Sequence, residues 1–518
     1  MKRIVSFWLM VTLSLCVSAM ASAQDKTVKK IIEIGQTDNQ VMNLNDHLSN
    51  YIGGRPVGSS ALTHAEAWAK ELLESWGYEV MVQEAGEINV GFDRGPWYGR
   101  MLSEDGMNLH FGTPAYTAPT HGKQTGPVYI EPHSKREFEG MKGALKGAWV
   151  LLDTPSNGMA IDWSDAANEK RAEVMKKNEE IDRQNMEIRR YNMTHRDEAP
   201  KEMLKYEPTT ALFYKEMVEA GVAGFIRSAA VPLRVMYDRA NCYNITMENL
   251  PKVCDIILDE AQFDIIKKKV ERKDIFLLEF DIRNHFFRGP VKYNNIIGIM
   301  RGTKYPNEYV LSGGHLDSYD NGTGAVDDGN GATLNLEAAR LLAAAGAKPK
   351  RTVMFCIWTG EEYGLLGSKF FVENKTVPLE KISNYINRDG GPLMSTSVSV
   401  TPAMYDDYVS ICKPLMDLNP EIPFTVNKRP GPAQPRPTSA GGSDHAYFAM
   451  NGVPTIGFQE SDPKGYKFEY QEIWHTERDI YNKVIPEYME HSALVTAVVV
   501  YGLANLDHQL SREGLYKE

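Results

Sequence analysis

Cysteine is scarce in this chain, and long hydrophobic runs are missing after its first residues. Only 5 of the 518 residues are cysteine, which excludes a small scaffold held together by disulfides. Glycine and proline follow no period, which excludes a collagen-like chain. Hydrophobic residues make up 42% and charged residues 24% of the sequence, as in ordinary soluble globular proteins. At ~150 residues per domain, the length predicts about three domains or one large domain with an insertion.

Positive charge is also in short supply. The sequence has 57 Lys and Arg residues against 68 Asp and Glu residues, which gives a net charge of −11. An acidic protein repels polyanions, so we expect neither nucleic acid nor an anionic membrane as a partner. Net charge does not identify a reaction, and the chemistry has to be found in a site.

The first 23 residues have the layout of a secretory signal. Lys2 and Arg3 precede an apolar stretch over residues 4–17, and the small residues 21–23 follow. The alternative is an uncleaved membrane anchor, but the apolar stretch is short for a span of ~20 residues. We therefore predict a signal peptide over residues 1–23, a secreted or periplasmic protein and no stable membrane insertion after cleavage.

Four cysteines lie beyond this leader: Cys242, Cys254, Cys356 and Cys412. An exported protein can form disulfides, and Cys242 and Cys254 are close in sequence. A bridge between these two is one open expectation, because pairing cannot be deduced from sequence. Cys356 sits in an apolar run, which predicts a buried free thiol.

Two regions, one toward each end of the chain and together called the outer domain, have the sequence pattern of an α/β domain. Residues 24–95 contain a helical pattern over 65–76, a helix stop at Gly77 and a strand over 78–82. From residue 289 to the end, apolar runs alternate with helical patterns such as 332–345; the runs are 309–312, 353–358, 385–387 and 454–458. Strands between helices predict a mostly parallel central sheet covered by helices on both faces. The stretch 429–442, rich in Pro, Gly and Ser, predicts a loop.

The region between them, residues 96–288, predicts a separate β-rich insert. Short apolar strands are expected at 149–152, 224–226 and 253–258. A segment over 166–205, rich in Glu, Lys, Arg, Asn and Met, interrupts these strands. It predicts an exposed helix or a helical hairpin whose charges form a solvated face.

Polar clusters follow the apolar runs of the last region, where ligand sites of α/β sheets form. After the run 309–312 come His315 and Asp317. One imidazole nitrogen can bind a metal while Asp317 accepts a proton from the other nitrogen. A purely structural hydrogen bond between the two residues is the alternative. Neither residue decides the function alone.

Two further clusters each hold a pair of acids. Asp327 and Asp328 stand between glycines just before a predicted helix, where they can cap the helix or supply a carboxylate that bridges two cations. Glu361 and Glu362 follow the run 353–358. Adjacent residues that leave a strand point in different directions, so one glutamate can bind a metal while the other faces a water molecule. Exposed glutamates at a helix start are the alternative.

The last clusters are Asp389, directly after the run at 385–387, and His475, late in the chain. Each is ordinary alone. Together with the earlier clusters they make a set of nitrogen and oxygen donors in the order His, Asp, Glu, Asp and His, which suits zinc.

Six motifs in this order resemble metallopeptidase family 28, the co-catalytic dizinc exopeptidases, and in particular its secreted members. They lie between residues 313 and 476 and read Gly-Gly-His-Leu-Asp-Ser, Gly-Ala-Val-Asp-Asp-Gly, Thr-Gly-Glu-Glu, Asn-Arg-Asp, Gly-Ser-Asp-His and Trp-His-Thr. The resemblance implies a zinc aminopeptidase-like fold for residues 24–95 together with 289–518. The region 96–288 is similar, more loosely, to a protease-associated domain.

The resemblance also implies residue roles. It implies two Zn2+ ions, one held by His315 and Asp389, the other by Glu362 and His475, with Asp327 between both. It further implies Glu361 as general base, Asp317 as a support for His315, and a cis peptide between Asp327 and Asp328. Asp444, His445 and Tyr447 are expected to line the substrate pocket. Arg388 departs from the family pattern, which commonly has an apolar residue before the Asp, so substrate preference transfers less well than zinc binding.

The expected activity is hydrolysis of peptide bonds near a free terminus of short peptides, with aminopeptidase action favoured. A carboxypeptidase or dipeptidase of the same family and a glutaminyl cyclase-like acyl transferase are the alternatives. A homodimer is consistent with the resemblance alone.

Overall fold

The computed structural model describes residues 26–517, so the predicted signal peptide lies outside the described residues. The first elements in chain order are α1 (residues 26–37), α2 (Val41–Asp46), α3 (Ser60–Ser75), β1 (Glu79–Asp93), β2 (Trp97–Leu102), β3 (Phe111–Gly112), β4 (Gln124–Gly126), β5 (Val128–Ile130), α4 (Lys135–Met141), β6 (Trp149–Leu151), α5 (Asp165–Thr194), α6 (Tyr214–Glu219), β7 (Gly224–Ala229), β8 (Cys254–Asp259), α7 (Glu260–Glu271) and β9 (Leu277–Ile282).

The remaining elements form most of the outer domain. They are β10 (His285–Met300), β11 (Tyr305–His315), α8 (Gly329–Ala344), β12 (Arg351–Trp358), α9 (Leu366–Glu373), β13 (Ile382–Asn387), β14 (Met394–Val400), α10 (Tyr405–Met416), β15 (Thr425–Lys428), α11 (His445–Met450), β16 (Phe458–Ser461), α12 (Tyr470–Ile473) and α13 (Pro486–Asn505). Within residues 26–517, no helix combines the length and the apolar character that a membrane span needs.

The central sheet has the strand order β1-β10-β12-β11-β13. Strand β11 pairs in parallel with β12 and β13, whereas β10 pairs antiparallel with β12 and with β1. Four of the five strands therefore point the same way, and only β10 runs against them. The α/β class is confirmed, with a mixed hydrogen-bonding pattern at the β1 edge.

Helices cover both faces of this sheet because the central strands are apolar at every position. Along β12 the side chains alternate between two cores: Val353, Phe355 and Ile357 pack in one core with α8 and α13, while Met354 and Trp358 pack in the other with α9 and α11. All eight residues of β12 are buried. This two-sided burial is typical of a strand inside an α/β sheet.

The helix and the first strand predicted in the outer domain are confirmed, with different end residues. The helix expected over 65–76 is α3, which begins at Ser60 because the Ser59 side chain accepts the N–H of Leu62 as an N-cap. The strand expected at 78–82 is the start of β1. The strand predicted over residues 454–458 is wrong, since regular strand pairing begins only at Phe458. Pro454 has no N–H to donate and instead accepts the N–H of Tyr385.

The middle region builds two sheets of its own, with strand orders β2-β9-β4 and β3-β8-β7-β6-β5. The strands expected at 149–152, 224–226 and 253–258 correspond to β6, β7 and β8. Trp149 and Leu151 face one apolar core and Val150 and Leu152 another, so this region has an interior separate from the central sheet. Its similarity to a protease-associated domain stays a prediction.

The charged segment forms one long helix, α5, followed by an extended return over residues 195–210, and not a helical hairpin. Asn178, Asn185 and Asn192 hold the return: each amide accepts a backbone N–H and donates to the C=O of the same residue, respectively Glu207, Leu204 and Lys201. Seven helical residues rise ~10.5 Å and three extended residues span ~10 Å. This match lets every seventh helical residue pair with every third residue of the return.

The four cysteines within residues 26–517 are free and buried. The prediction of a buried thiol at Cys356 is confirmed, and the disulfide expected between Cys242 and Cys254 is wrong. Cys242 packs in the core of the central domain, whereas Cys254 begins β8 and packs in a core of the middle region. Proximity in sequence does not bring the two sulfur atoms together, because the chain crosses from one core to the other between them.

Candidate metal centre

Three neighbouring parallel strands end at the same edge of the central sheet. His315 ends β11 opposite Trp358 of β12, and Gly313 pairs with Asn387 at the end of β13. The loops that leave these strands carry Asp317, the pair Glu361 and Glu362, and Asp389. The acidic clusters therefore converge at the carboxyl edge of the sheet, where α/β proteins bind ligands.

Asp327 and His475 reach the same edge from other elements. Asp327 lies two residues before α8, and His475 lies in the loop after α12. Nε2 of His315 is 3.4 Å from Oδ1 of Asp327, and Nε2 of His475 is 3.6 Å from Oδ2 of the same carboxylate. The two oxygens of Asp327 thus face two different imidazoles.

Each imidazole has a further acidic neighbour. Nε2 of His475 lies 3.0 Å from Oε2 of Glu362, and Nε2 of His315 lies 3.9 Å from Oδ2 of Asp389. Oε2 of Glu361 is 4.0 Å from the His315 nitrogen. The structure therefore brings together all five candidate metal-binding residues and Glu361.

The donor set fits divalent cations. The ligand atoms of His315, Asp327 and Glu362 lie within 4.8 Å of one another. Oδ2 of Asp327 and Oε1 of Glu362 are buried without a hydrogen-bond partner, and a cavity of ≈ 10 Å³ lies against these residues and His475. Buried carboxylates without partners cost free energy, which a bound cation offsets. Imidazole and carboxylate are also donors that zinc accepts.

The electrostatics agree with this interpretation. Burial, reinforced by neighbouring carboxylates, raises the pKa of Glu361 and of Glu362 well above the ordinary value. Burial lowers the pKa of His475 to about 4, and the Arg234 cation acts in the same direction. His475 is therefore neutral near pH 7, which is the form of imidazole that binds a metal.

Asp328 has a different environment from its neighbour Asp327. Its carboxylate accepts the N–H of His315 at 3.0 Å and the N–H of Gly331 at 2.8 Å, which caps α8. The peptide that joins Asp327 and Asp328 is cis, as the family resemblance implied. One acid of the pair thus caps the helix while the other faces the two imidazoles.

Asp317 contacts both neighbouring clusters. Its carboxylate oxygens accept the N–H of Glu361 at 3.1 Å and of Glu362 at 3.2 Å. Nδ1 of His315 lies 2.9 Å from the carbonyl oxygen of Asp317 and 3.5 Å from its carboxylate. The shorter contact of the imidazole is thus to the backbone, and the side chain instead fixes the backbone of the two glutamates.

Two residues that the sequence analysis missed hold the site loops. The buried guanidinium of Arg55 donates to four carbonyl oxygens, those of Gly53, Leu316, Thr323 and Gly324. The carboxylate of Asp479 accepts the N–H groups of Val326 and Asp327. Arg55 belongs to no motif and is far from these loops in sequence. Asp479 is an acidic residue only four positions after His475, and this proximity could have indicated it from the sequence.

The expected pocket residues Asp444, His445 and Tyr447 lie at the start of α11. Asp444 is buried with neither carboxylate oxygen hydrogen-bonded, and burial raises its pKa to about 7. Its charge is close enough to raise the pKa of Glu361. His445 is half-buried, and the ring of Tyr447 packs beside Lys369 of α9, whose Nζ lies 5.9 Å from the ring centroid.

Arg388 and Arg429 already have partners. Arg388 is buried, with a guanidinium nitrogen 3.0 Å from Oε1 of Glu460 and another donating to the Ser395 hydroxyl. Arg429 donates to the carbonyl oxygens of Gly514 and Leu515. Neither offers a free cation to a substrate carboxylate, and the unusual Arg388 has a structural partner.

Known proteins resemble this chain in sequence. Residues 295–500 match the model of Peptidase family M28. Carboxypeptidase Q of Rattus norvegicus is 29% identical over 292 residues, which cover 56% of this chain and 58% of that protein. Leupeptin-inactivating enzyme 1 of Streptomyces exfoliatus is 33% identical over 38% of this chain and 42% of that protein. The chain thus spans less than two thirds of the length of these curated relatives.

Solved structures share the fold. A peptidase M28 precursor from Shewanella amazonensis matches with a TM-score of 0.58 at 19% identity, covering 94% of this chain and 98% of that one. A zinc aminopeptidase from Bacillus subtilis matches with a TM-score of 0.52 at 16% identity, covering 92% and 98%. The region 295–500, which matches the model of Peptidase family M28, contains every candidate metal-binding residue, so the similarity in sequence falls on the part of the chain that carries the candidate site.

Proposed function

We propose that this protein is a zinc-dependent exopeptidase that hydrolyses short peptides near a free terminus with two zinc ions. The observation that carries the proposal is the position of Asp327, whose two carboxylate oxygens face the imidazoles of His315 and His475. A single-ion site does not need a carboxylate shared between two histidines. The names of the relatives, a carboxypeptidase and zinc aminopeptidases, agree with this class of reaction.

The geometry supports a proposal of two metal positions. His315, Asp389 and Asp327 would hold an ion in what we call the first position. Glu362, His475 and Asp327 would hold an ion in the second position. When bound, the ions supply a Lewis acid that polarises the scissile carbonyl and lowers the pKa of water toward neutrality.

Glu361 is the best-supported general base. Its side chain is 13% exposed, against 4% for Glu362, so it has more access to a substrate while still lying beside the histidines. The carboxylate takes a proton from the attacking water and returns it to the leaving amine, as the C–N bond breaks. Asp317 positions the backbone of Glu361 for this transfer.

A free amino terminus is the favoured recognition element. Asp444 offers a buried carboxylate without a hydrogen-bond partner, whereas Arg388 and Arg429 are paired. A substrate ammonium therefore finds a countercharge here more readily than a substrate carboxylate does. Carboxypeptidase or dipeptidase action is the second candidate, supported by the similarity to carboxypeptidase Q.

The test compares peptides with one end blocked. Purified protein with two equivalents of zinc is assayed on a free tripeptide, its N-acetylated form and its C-amidated form. We expect hydrolysis of the free and amidated peptides, loss of activity with the N-acetylated peptide, and loss of all activity after chelation. Cleavage of only the peptides with a free carboxylate would support the carboxypeptidase. Cyclisation of an N-terminal glutamine without hydrolysis would instead indicate an acyl transferase, and inert zinc-loaded protein would contradict the proposal.

A further inference from the structure

The middle region contacts the backbone beside the candidate metal centre through residues 233–243, which we call the bracing segment; His110 of the same region lies 3.4 Å from Glu477. The N–H of Val235 donates to the C=O of His475 at 2.9 Å. Arg234 and Thr476 form an antiparallel β-bridge next to this bond. The backbone around His475 is therefore paired with a residue run that belongs to another part of the fold.

A side chain of the bracing segment holds the other flank of His475. The guanidinium of Arg234 lies 4.3 Å from the ring centroid of Trp474, a cation–π contact, and reaches the side chain of Gln471 at 3.4 Å. His475 itself has a φ of 61°, a left-handed conformation that residues other than glycine adopt at a cost. Such a conformation persists only where the surroundings hold it, and the bracing segment supplies much of that hold.

The bracing segment also contacts the loop of Glu362. The ring of Tyr237 packs at a tilt against Tyr363 with centroids 4.0 Å apart, and the hydroxyl of Tyr243 donates to the C=O of Tyr363. Tyr319 lies between the two loops: its hydroxyl donates to the C=O of Glu362, and its ring packs edge-on against His475. Both protein groups unique to the second position are thus supported from the middle region.

The first position is supported differently. The N–H of His315 donates to Asp328, and Asn330 donates to the carbonyl oxygens of Gly390 and Gly391, directly after Asp389. All of these residues lie in the central domain. Within residues 26–517, no hydrogen bond joins the middle region to His315 or to Asp389.

We propose that the middle region is a structural component of the second metal position alone, with Arg234 and Tyr237 as positioning residues for His475 and Glu362. The inference rests on the proposed dizinc function. It assigns the middle region a role in metal affinity, and it predicts that the two positions respond unequally when the bracing segment is weakened. Residues that orient a metal-binding group commonly change metal affinity ~10-fold to 100-fold when they are removed.

The experiment measures zinc binding in the full-length chain. Apoprotein of wild type, Arg234→Ala and Tyr237→Leu is titrated with zinc in competition with a chromophoric chelator, and the bound zinc is counted by elemental analysis. We expect the wild type to bind two equivalents. Each variant should keep the affinity of one equivalent and bind the other at least ~10-fold more weakly. Arg239→Ala is the matched control, because Arg239 is an exposed arginine of the same segment.

Each result bears on a separate claim. Wild-type affinity for both equivalents in both variants would overturn the inference, as would an equal weakening of both equivalents in a variant whose circular dichroism is native. Arg234→Lys keeps a cation above Trp474 and should recover part of the lost affinity. This variant also tests the inference if Arg234→Ala does not fold. A wild type that binds no zinc would instead refute the proposed dizinc function.

Discussion

Nε2 of His475 lies 3.0 Å from Oε2 of Glu362. The two residues are distant in sequence, because Glu362 lies before α9 and His475 lies after α12. Glu361, the adjacent residue, has its nearest imidazole contact with the other histidine, at 4.0 Å from His315. Two neighbouring glutamates thus face different halves of the site. Substitution of each to glutamine should therefore have different consequences.

Glu361→Gln should retain zinc while turnover falls by ~10²-fold or more, since an amide cannot accept the proton of the attacking water. Glu362→Gln should instead lose zinc, because an amide is a weaker metal-binding group than a carboxylate. Elemental analysis and kcat on the same samples separate the two effects. Full activity in both variants, or identical zinc loss in both, would contradict the assigned roles.

Arg55→Met should destabilise the protein strongly. The buried guanidinium supplies donors to carbonyl oxygens in the loop 316–324, and a methionine leaves these acceptors without partners. A loss of about 3 kcal/mol or more in the free energy of unfolding is expected in urea denaturation. Arg301→Met is the control, because Arg301 pairs with Glu79 on the surface and should cost less than about 1 kcal/mol. Equal effects of the two substitutions would argue against the role of Arg55.

Asn185→Ala should release the extended return from α5. The Asn185 amide makes two hydrogen bonds with Leu204, and both are lost in the variant. We expect trypsin to cleave at Lys201 and Lys205 about 30-fold faster, since each of the two lost bonds contributes about 1 kcal/mol to docking. Gln184→Ala changes an exposed neighbour on the same helix and should leave the cleavage rate unchanged. Unchanged cleavage in Asn185→Ala would mean that other contacts hold the return.

Glu66→Gln should stabilise the protein at alkaline pH. Burial raises the pKa of Glu66 from 4.5 to about 7, even though the carboxylate accepts two hydrogen bonds from Asn294. Between pH 4.5 and 7 the folded state holds a proton that the unfolded state has lost, so this residue makes stability fall as the pH rises. Glutamine does not titrate and avoids that loss.

The measurement for Glu66 is the difference in unfolding free energy between variant and wild type at pH 5 and pH 8. We expect the advantage of Glu66→Gln to grow by about 2–3 kcal/mol over this interval, at ~1.4 kcal/mol per pKa unit. Glu74→Gln, on the exposed face of the same helix α3, should show no such growth. A difference that is constant with pH would show that Glu66 is ionised in the folded protein.

Much of the local structure could be predicted from the sequence because its causes are local. Apolar runs such as 353–358 form strands since every side chain has a core to enter, and Ser59 begins α3 by capping it. The motifs placed His315, Glu361, Glu362 and Asp389 near strand ends, and parallel strands bring their carboxyl ends to one edge. The residues of the candidate site could therefore be predicted from the sequence.

Other features depend on contacts between distant segments, which no local pattern encodes. The sequence did not indicate that Arg55 holds loops more than 250 residues away, nor that Cys242 and Cys254 pack in different cores. The composition of the charged segment was also compatible with a helical hairpin. The structure has an extended return instead, because the rise of the helix between Asn178, Asn185 and Asn192 matches the spacing of the extended residues that they bind.

The chain alone thus determined which side chains are available for chemistry, through residue type and position after each apolar run. The tertiary structure decided how they are held: Asp317 through the backbone of Glu361 and Glu362, and His475 through Val235 of another region. The physical reason is that a hydrogen bond or ring contact depends on distances of a few ångströms. Such distances between remote residues exist only after the two regions have packed against each other.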